Sequence, residues 1–216
     1  MFTGIIEAVG TVSLKQPKGG DLKVRIATGK LDLADVKLGD SIAVNGVCLT
    51  VINLHDDGFS ADISNETIAH TRWTSIQVGD AVNLEKAMQA TSRFGGHIVS
   101  GHVDGIGRVV SRVEDARSIR FSIEAPESLA KYIAHKGSIT VDGVSLTVNK
   151  VEGSTFELNI VPHTAQETTL YHLMAGAEVH LEVDVIARYL ERLMTSANPA
   201  PKSNLNEGFL AENGFM

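Results

Sequence analysis

Aliphatic and small polar positions alternate in the same way at two places in the chain: Val47, Leu49 and Val51 around Cys48 and Thr50, then Val144, Leu146 and Val148 around Ser145 and Thr147. A period of two puts the aliphatic side chains on one face of a strand and the small polar ones on the other. Each run follows a two-residue turn, Asn45-Gly46 or Asp142-Gly143, whose residues suit a type I′ hairpin because both central positions take positive φ. Each copy is therefore expected to fold back there. Further short strands are predicted over Gly10–Ser13, Leu22–Ala27, Phe59–Ser64 and Ala81–Glu85, separated by glycine, proline and aspartate. From Val185 to Thr195 the period changes, with Ile186, Leu190 and Leu193 at helical spacing and Asp184 placed to cap the helix. Residues 196–216, rich in Asn, Pro, Gly and Ser without a period, read as a disordered tail.

The two alternating runs belong to a longer repeat. A constant shift of 97 residues carries Gly4, Gly10 and Val12 onto Gly101, Gly107 and Val109, and Ser41-Ile42 onto Ser138-Ile139. The same shift carries Phe59, Thr67 and Thr71 onto Phe156, Thr164 and Thr168, and Gly79, Val82, Leu84 and Glu85 onto Gly176, Val179, Leu181 and Glu182. A period this long is not that of a solenoid; it indicates two copies of one small domain. Several short strands per copy predict a small antiparallel barrel, which closes its own sheet edges. The boundary is placed between residues 88 and 97. The C-terminal helix has only a weak counterpart near Lys86–Ser92, so its apolar stripe is expected either on its own barrel or against another subunit.

Composition removes several classes of function. The 216 residues are 43% hydrophobic, with 20 glycines against 5 prolines, as in a globular, turn-rich chain. A formal charge of −7 opposes a surface that tracks phosphates, so no nucleic-acid partner is expected. The first residues, Met1 to Glu7, lack a basic segment before an apolar run, and no stretch is apolar enough to span a bilayer, which predicts a cytoplasmic protein without a membrane partner. Cys48 is the single cysteine, which excludes an internal disulfide and a multi-cysteine zinc site.

Candidate chemistry lies where the copies differ. Ile5 is replaced by His102, Gly39 by Lys136, Cys48 by Ser145, Glu66 by His163 and Ala87 by Asp184. The second copy thus holds more acid–base and nucleophilic groups. Each also has a plainer reading: Lys136 as a solvated charge, Asp184 as a helix cap, Ser145 as a strand residue bonded to backbone. His97 and His102 in Gly95-Gly96-His97-Ile98-Val99-Ser100-Gly101-His102 lack a third ligand at metal-binding spacing, so the glycines favour a loop held close to a ligand. No phosphate loop or dinucleotide fingerprint is present.

Met1-Phe2-Thr3-Gly4-Ile5-Ile6-Glu7, Asn45 to Val51, Gly95-Gly96-His97, Ser100 to Gly105, Lys136 to Ile139, Asp142 to Val148 and Pro162-His163-Thr164 closely resemble the riboflavin synthase α-chain family over roughly residues 1–195. The resemblance implies an all-β fold: two tandem six-stranded Greek-key β-barrels, 1–95 and 96–184, followed by a C-terminal α-helix, 185–195, through which three chains associate. It implies a cofactor-independent transferase that converts two molecules of 6,7-dimethyl-8-ribityllumazine into riboflavin and 5-amino-6-ribitylaminouracil, with lumazine synthase as a candidate partner. Donor and acceptor start as the same molecule, which accounts for two related pockets with different side chains.

Carried over by position, the resemblance implies a first-copy pocket of Gly4, Ile5, Ile6, Cys48, Leu49, Thr50, Asp62, Ile63, Ser64, Asn65, Glu66 and Thr67, with Phe2 placing the N-terminal segment. The second-copy pocket comprises Gly101, His102, Val103, Lys136, Ser145, Leu146, Thr147, Ile160, Val161, Pro162, His163, Thr164 and Ala165. Ser145 and His102 are assigned to proton movement or nucleophile activation at the acceptor, assisted by Cys48, Lys136 and Asp184. Two rivals are a lumazine-binding antenna, disfavoured by these reactive groups, and a flavin-binding barrel of a reductase, which would need a nicotinamide-binding domain that this chain has no room for.

Overall fold

The computed structural model describes residues 1–196 and Gly214. All of the predicted tail except Ser196 and Gly214 lies outside the described residues. The first repeat contains β1 (Ala8–Lys18), β2 (Asp21–Ala27), β3 (Ser41–Val44), β4 (Val47–Thr50), β5 (Asn53–His55), β6 (Gly58–Ile63), the short helix α1 (Asn65–His70) and β7 (Ala81–Lys86). The second contains β8 (Gly105–Asp115), β9 (Ser118–Glu124), α2 (Glu127–Ala130), β10 (Ser138–Val141), β11 (Val144–Glu152), β12 (Thr155–Ile160), α3 (Pro162–Gln166) and β13 (Glu178–Val183). Every strand predicted from alternation is present, and the Asn45-Gly46 and Asp142-Gly143 turns have positive φ at all four residues. Those φ values are what a two-residue hairpin between twisted strands requires.

The repeats differ in closure. In the second, six strands form a closed barrel in the order β10-β11-β12-β9-β8-β13, because β11 is long enough to pair with both β10 and β12 across a register shift between Val148 and Lys150. In the first, β4 pairs with β3 and β5 with β6, giving an open seven-stranded sheet, β4-β3-β7-β1-β2-β6-β5. The expectation of two closed six-stranded barrels is thus met by the second repeat, whereas the first is a half-barrel sheet. The local bonds at this point are shared by both repeats: the Val51 amide donates to the Asp40 carbonyl at 2.8 Å as the equivalent Val148 amide does to the Gly137 carbonyl at 3.0 Å, and the Ile52 amide donates to the Ser60 carbonyl at 2.9 Å. β4 and β5 together stand where β11 stands.

Each repeat encloses its own core. Trp73, Phe59, Ile26, Ile42 and Leu84 are fully buried in the first, and Phe121, Phe156, Ile123, Ile139 and Leu158 in the second. Burial of each such side chain contributes about 1.5–3 kcal/mol. One residue from each repeat crosses over: Ile6 packs against the second core and Val103 against the first.

The repeats meet along a seam with approximate twofold character. Phe2 and Val99, equivalent under the 97-residue shift, form a reciprocal antiparallel bridge, with N–H···O distances of 2.8 and 3.1 Å. Gly46 and Gly143 face one another so closely that a Cβ on either would come within 2.9 Å or 2.6 Å of the other's backbone nitrogen. Asn83 donates through Nδ2 to the Asp142 carbonyl at 2.9 Å, and His180 Nδ1 lies 2.8 Å from the Asn45 carbonyl. The predicted C-terminal helix α4 spans Val185–Thr195 and forms part of a separate unit; Ile186, Tyr189, Leu190, Leu193 and Met194 on it are exposed.

Candidate functional site

The segment entering each repeat crosses to the other repeat's second hairpin strand. The Ser145 amide donates to the Gly4 carbonyl at 2.7 Å, and the Cys48 amide donates to the Gly101 carbonyl at 2.8 Å. Both glycines adopt positive φ, +76° and +82°. A Cβ on Gly4 would lie 2.6 Å from Ser145 Cβ, and one on Gly101 would lie 2.7 Å from Cys48 Cβ and 2.8 Å from the Phe2 ring. Only glycine meets both demands, conformation and clearance.

This crossing places expected site residues of the two repeats side by side. Gly101, His102 and Val103 are brought to Cys48, Leu49 and Thr50 on β4 of the first repeat, while Gly4, Ile5 and Ile6 are brought to Ser145, Leu146 and Thr147 on β11 of the second. Each cluster therefore mixes the two repeats. His102 and Ser145, expected in one pocket, stand in different clusters of the chain, because strand pairing across the seam outweighs position along the sequence.

A buried glutamate fixes each crossing segment. Glu85, on β7, accepts from the Thr3 amide at 2.7 Å, the Thr3 hydroxyl at 2.8 Å and the Gly4 amide at 2.9 Å. Glu182, on β13, accepts from the Ser100 amide and hydroxyl, both at 2.7 Å, and from the Gly101 amide at 3.0 Å. Burial raises the pKa of both carboxyls, and the donors draw it back down. The identical glutamates were visible in the repeat, but their partners were not.

Ser145 meets a histidine that the expected site omitted. His97 Nδ1 lies 2.7 Å from Ser145 Oγ, and the ring is only 8% exposed. Its backbone amide donates to Thr3 at 3.1 Å. Gly96 beside it would, with a Cβ, come within 3.0 Å of Ser145 Cβ and collide with the Thr3 carbonyl, so the Gly95-Gly96-His97 pattern marks a close approach of backbone to backbone. Burial pushes the His97 imidazole pKa down, and the field of Asp184 opposes this.

Other expected residues lie around these clusters. Lys136 holds a left-handed turn, φ +63°, matching Gly39 at +92°, and its exposed Nζ is 3.2 Å from Asn149 Oδ1. Cys48 and Ser145 are half-buried, Leu49 is buried, and Thr50 and Thr147 are exposed, as the alternation predicted. Asp62 and Ile63 end β6; Ser64 caps α1 by accepting from the Thr67 amide at 3.3 Å, and Asn65, Glu66 and Thr67 form its first turn. Ile160 ends β12, with Val161 capping and Pro162, His163, Thr164 and Ala165 forming α3. Ile5 and Val161 are exposed apolar residues. A concavity of about 330 Å³ touches this set only at Ile5; it lies along Thr3, Glu7, Asp35, Glu85, Lys86 and Arg93, beside the Glu85-held segment, and neither Cys48 nor Ser145 lines it.

Residues 3–87 and 100–184 match the lumazine binding domain, one copy per repeat. The fold, the duplication and the crossed clusters thus define a double lumazine-binding-domain protein. Over full length the chain is 52% identical to riboflavin synthase of Photobacterium phosphoreum across all of both chains, and 42% identical to that of Bacillus subtilis (strain 168), again across all of both. A solved structure of LumP complexed with 6,7-dimethyl-8-(1'-D-ribityl) lumazine is similar with a TM-score of 0.77 at 26% identity, covering 85% of this chain and 99% of that one. The chain belongs to the riboflavin synthase family, a family of transferases. Among the described residues no helix is long and apolar enough to cross a membrane.

Proposed function

We propose that the chain converts two molecules of 6,7-dimethyl-8-ribityllumazine into riboflavin and 5-amino-6-ribitylaminouracil by transfer of a four-carbon unit. The observation that carries this reading is the pair of crossed clusters, equivalent in backbone but different in chemistry: Cys48 with the His102 segment in one, Ser145 with His97 and the Ile5 segment in the other. One scaffold can bind the same heterocycle twice while only the side chains assign donor and acceptor. One lumazine loses a proton from its C7 methyl to give a delocalised exomethylene anion, and the other is attacked. Holding the two rings in contact supplies up to about 7–11 kcal/mol relative to a chance encounter.

Residues 1–95 and 96–184 are the two lumazine-binding units in this reading, and 185–195 is a trimerisation helix. Its exposed Ile186, Leu190 and Leu193 support that role. The working site pairs the first unit of one chain with the second unit of its neighbour, so that His102 and Cys48 of one chain face Ser145, Lys136 and Asp184 of another. Lumazine synthase is the enzyme that would supply the substrate, and the cytoplasm is the compartment. Incubation of purified protein with the lumazine alone tests the activity: riboflavin should form at half the molar amount of lumazine consumed. Tight lumazine binding without any riboflavin would instead support an antenna like LumP.

A further inference from the structure

His97 belongs to the segment that joins the repeats, and the 97-residue shift matches it to no residue of the first copy. It is nevertheless held as firmly as a core residue, by its amide bond to Thr3 and by the close packing of Gly96 on Thr3 and Ser145. Its Nδ1 is in hydrogen-bond contact with Ser145 Oγ at 2.7 Å, while Nε2 is buried without a hydrogen-bond partner among the described residues. The Cys48 cluster has no equivalent, because position 48 carries a thiol and no histidine stands in the shifted place. Burial favours the neutral ring at neutral pH, leaving a lone pair for the serine hydroxyl; Asp184 is the charged group whose field reaches the ring, and it steadies the cation once formed.

We infer that His97 is the positioning residue that makes Ser145 a proton acceptor: as Ser145 Oγ removes a proton from the C7 methyl of bound lumazine, its own hydroxyl proton passes to His97 Nδ1. The C–H bond breaks, and its electron pair remains in the exomethylene anion. The serine is neutral before and after, and the proton ends on an imidazolium opposite Asp184. No oxidant, reductant or further reactant enters the step. The inference rests on the proposed synthase reading and assigns the proton-removing half of it.

Deuterium uptake into the C7 methyl, followed by proton NMR in heavy water with the full-length protein and corrected for uncatalysed exchange, isolates that step from carbon transfer. His97→Gln and Ser145→Ala should each slow catalysed exchange by about 10²–10⁴-fold, the usual reach of acid–base assistance, with lumazine affinity changed only a few-fold. The double variant should be no slower than either single one, since residues acting as a unit are not additive. In the wild type, kcat should fall on acidification as His97 takes up a proton, and this limb should be lost in His97→Gln. If His97→Gln fails to fold, Ser145→Ala decides alone, because it deletes one hydroxyl. Wild-type exchange in Ser145→Ala, or multiplicative losses in the double variant, would overturn the relay. Failure of the wild type to make riboflavin would instead overturn the synthase reading.

Discussion

Asn83 and His180 occupy equivalent places in the two repeats and make the same bonds, yet only one of them can change charge. Asn83 donates its backbone amide to Asn45 Oδ1 at 2.7 Å, donates through Nδ2 to the Asp142 carbonyl and accepts at Oδ1 from the Thr169 amide at 2.8 Å. His180 donates its backbone amide to Asp142 Oδ1 at 2.8 Å, meets the Asn45 carbonyl through Nδ1 and accepts from the Arg72 amide through Nε2 at 2.8 Å. Because Nε2 must accept, the imidazole is neutral with its proton on Nδ1. Opposite Asn45 stands neutral Thr169; opposite buried Asp142 stands Arg72, 3.0 and 3.1 Å from its two oxygens. One half of the seam is uncharged, and the other contains an ion pair beside a buried histidine. A twofold backbone tolerates that asymmetry because the side chains at positions 83 and 180 pair with equivalent backbone groups in each half, and the buried Asp142 carboxylate has Arg72 as its counter-ion.

The largest effect should come from the charged half. Arg72→Ala leaves Asp142, 2% exposed, without its counter-ion, and should cost about 3–5 kcal/mol in urea denaturation. Thr169→Ala, at the equivalent position, removes a hydroxyl that has no hydrogen-bond partner among the described residues and should cost under about 1 kcal/mol. Equal losses would mean that the two halves are energetically alike.

Next in size are the facing turns. Gly46→Ala and Gly143→Ala each place a Cβ within 3 Å of the opposite turn's backbone at a left-handed φ. Each should destabilise by at least about 1–3 kcal/mol, the usual strain of such a conformation, and loosen the seam in hydrogen exchange. Ala for Gly153, also at positive φ but with open space around it, should show only the strain and leave the seam unchanged.

The third prediction uses the histidine. Burial lowers the His180 pKa below the ordinary imidazole value; the Asp142 charge opposes this and that of Arg72 adds to it. Between the ordinary value near 6.5 and the lower folded value, the unfolded chain binds the extra proton. Stability should therefore fall as pH falls through about 6.5, by at most about 1.4 kcal/mol per pH unit from this one site. His180→Asn, which can copy the bonds of Asn83, should flatten that dependence in chemical denaturation at pH 5.5 and 7.5. An unchanged slope would assign it to another group.

The smallest effects belong to the exposed threonines of the two hairpin strands. Thr50→Val and Thr147→Val alter exposed hydroxyls on equivalent strands and should weaken lumazine binding by about 0.5–1.5 kcal/mol each, roughly two- to tenfold, in fluorescence titration. Folding should be untouched. A much larger loss of turnover than of affinity in either variant would bring that threonine into the chemistry.

The repeat, the two hairpin turns, the strands and α4 were legible because they depend on neighbours in sequence: a positive-φ pair at Asn45-Gly46, a period of two over Val47–Val51, a helical stripe over Ile186–Leu193. Cys48 and Ser145 were legible as differences between aligned copies. What the tertiary structure alone decided is who meets whom. Gly4 reaches Ser145 and Gly101 reaches Cys48 through backbone bonds between residues 141 and 53 positions apart, and no local preference encodes such a pairing. His97 read in the sequence only as part of a glycine-rich loop held close to a ligand, because its partner is a hydroxyl 48 residues away. Local periodicity set the elements of this protein; the satisfaction of buried polar groups across the seam set its site, since an amide or carboxylate removed from water must find a partner wherever the fold supplies one.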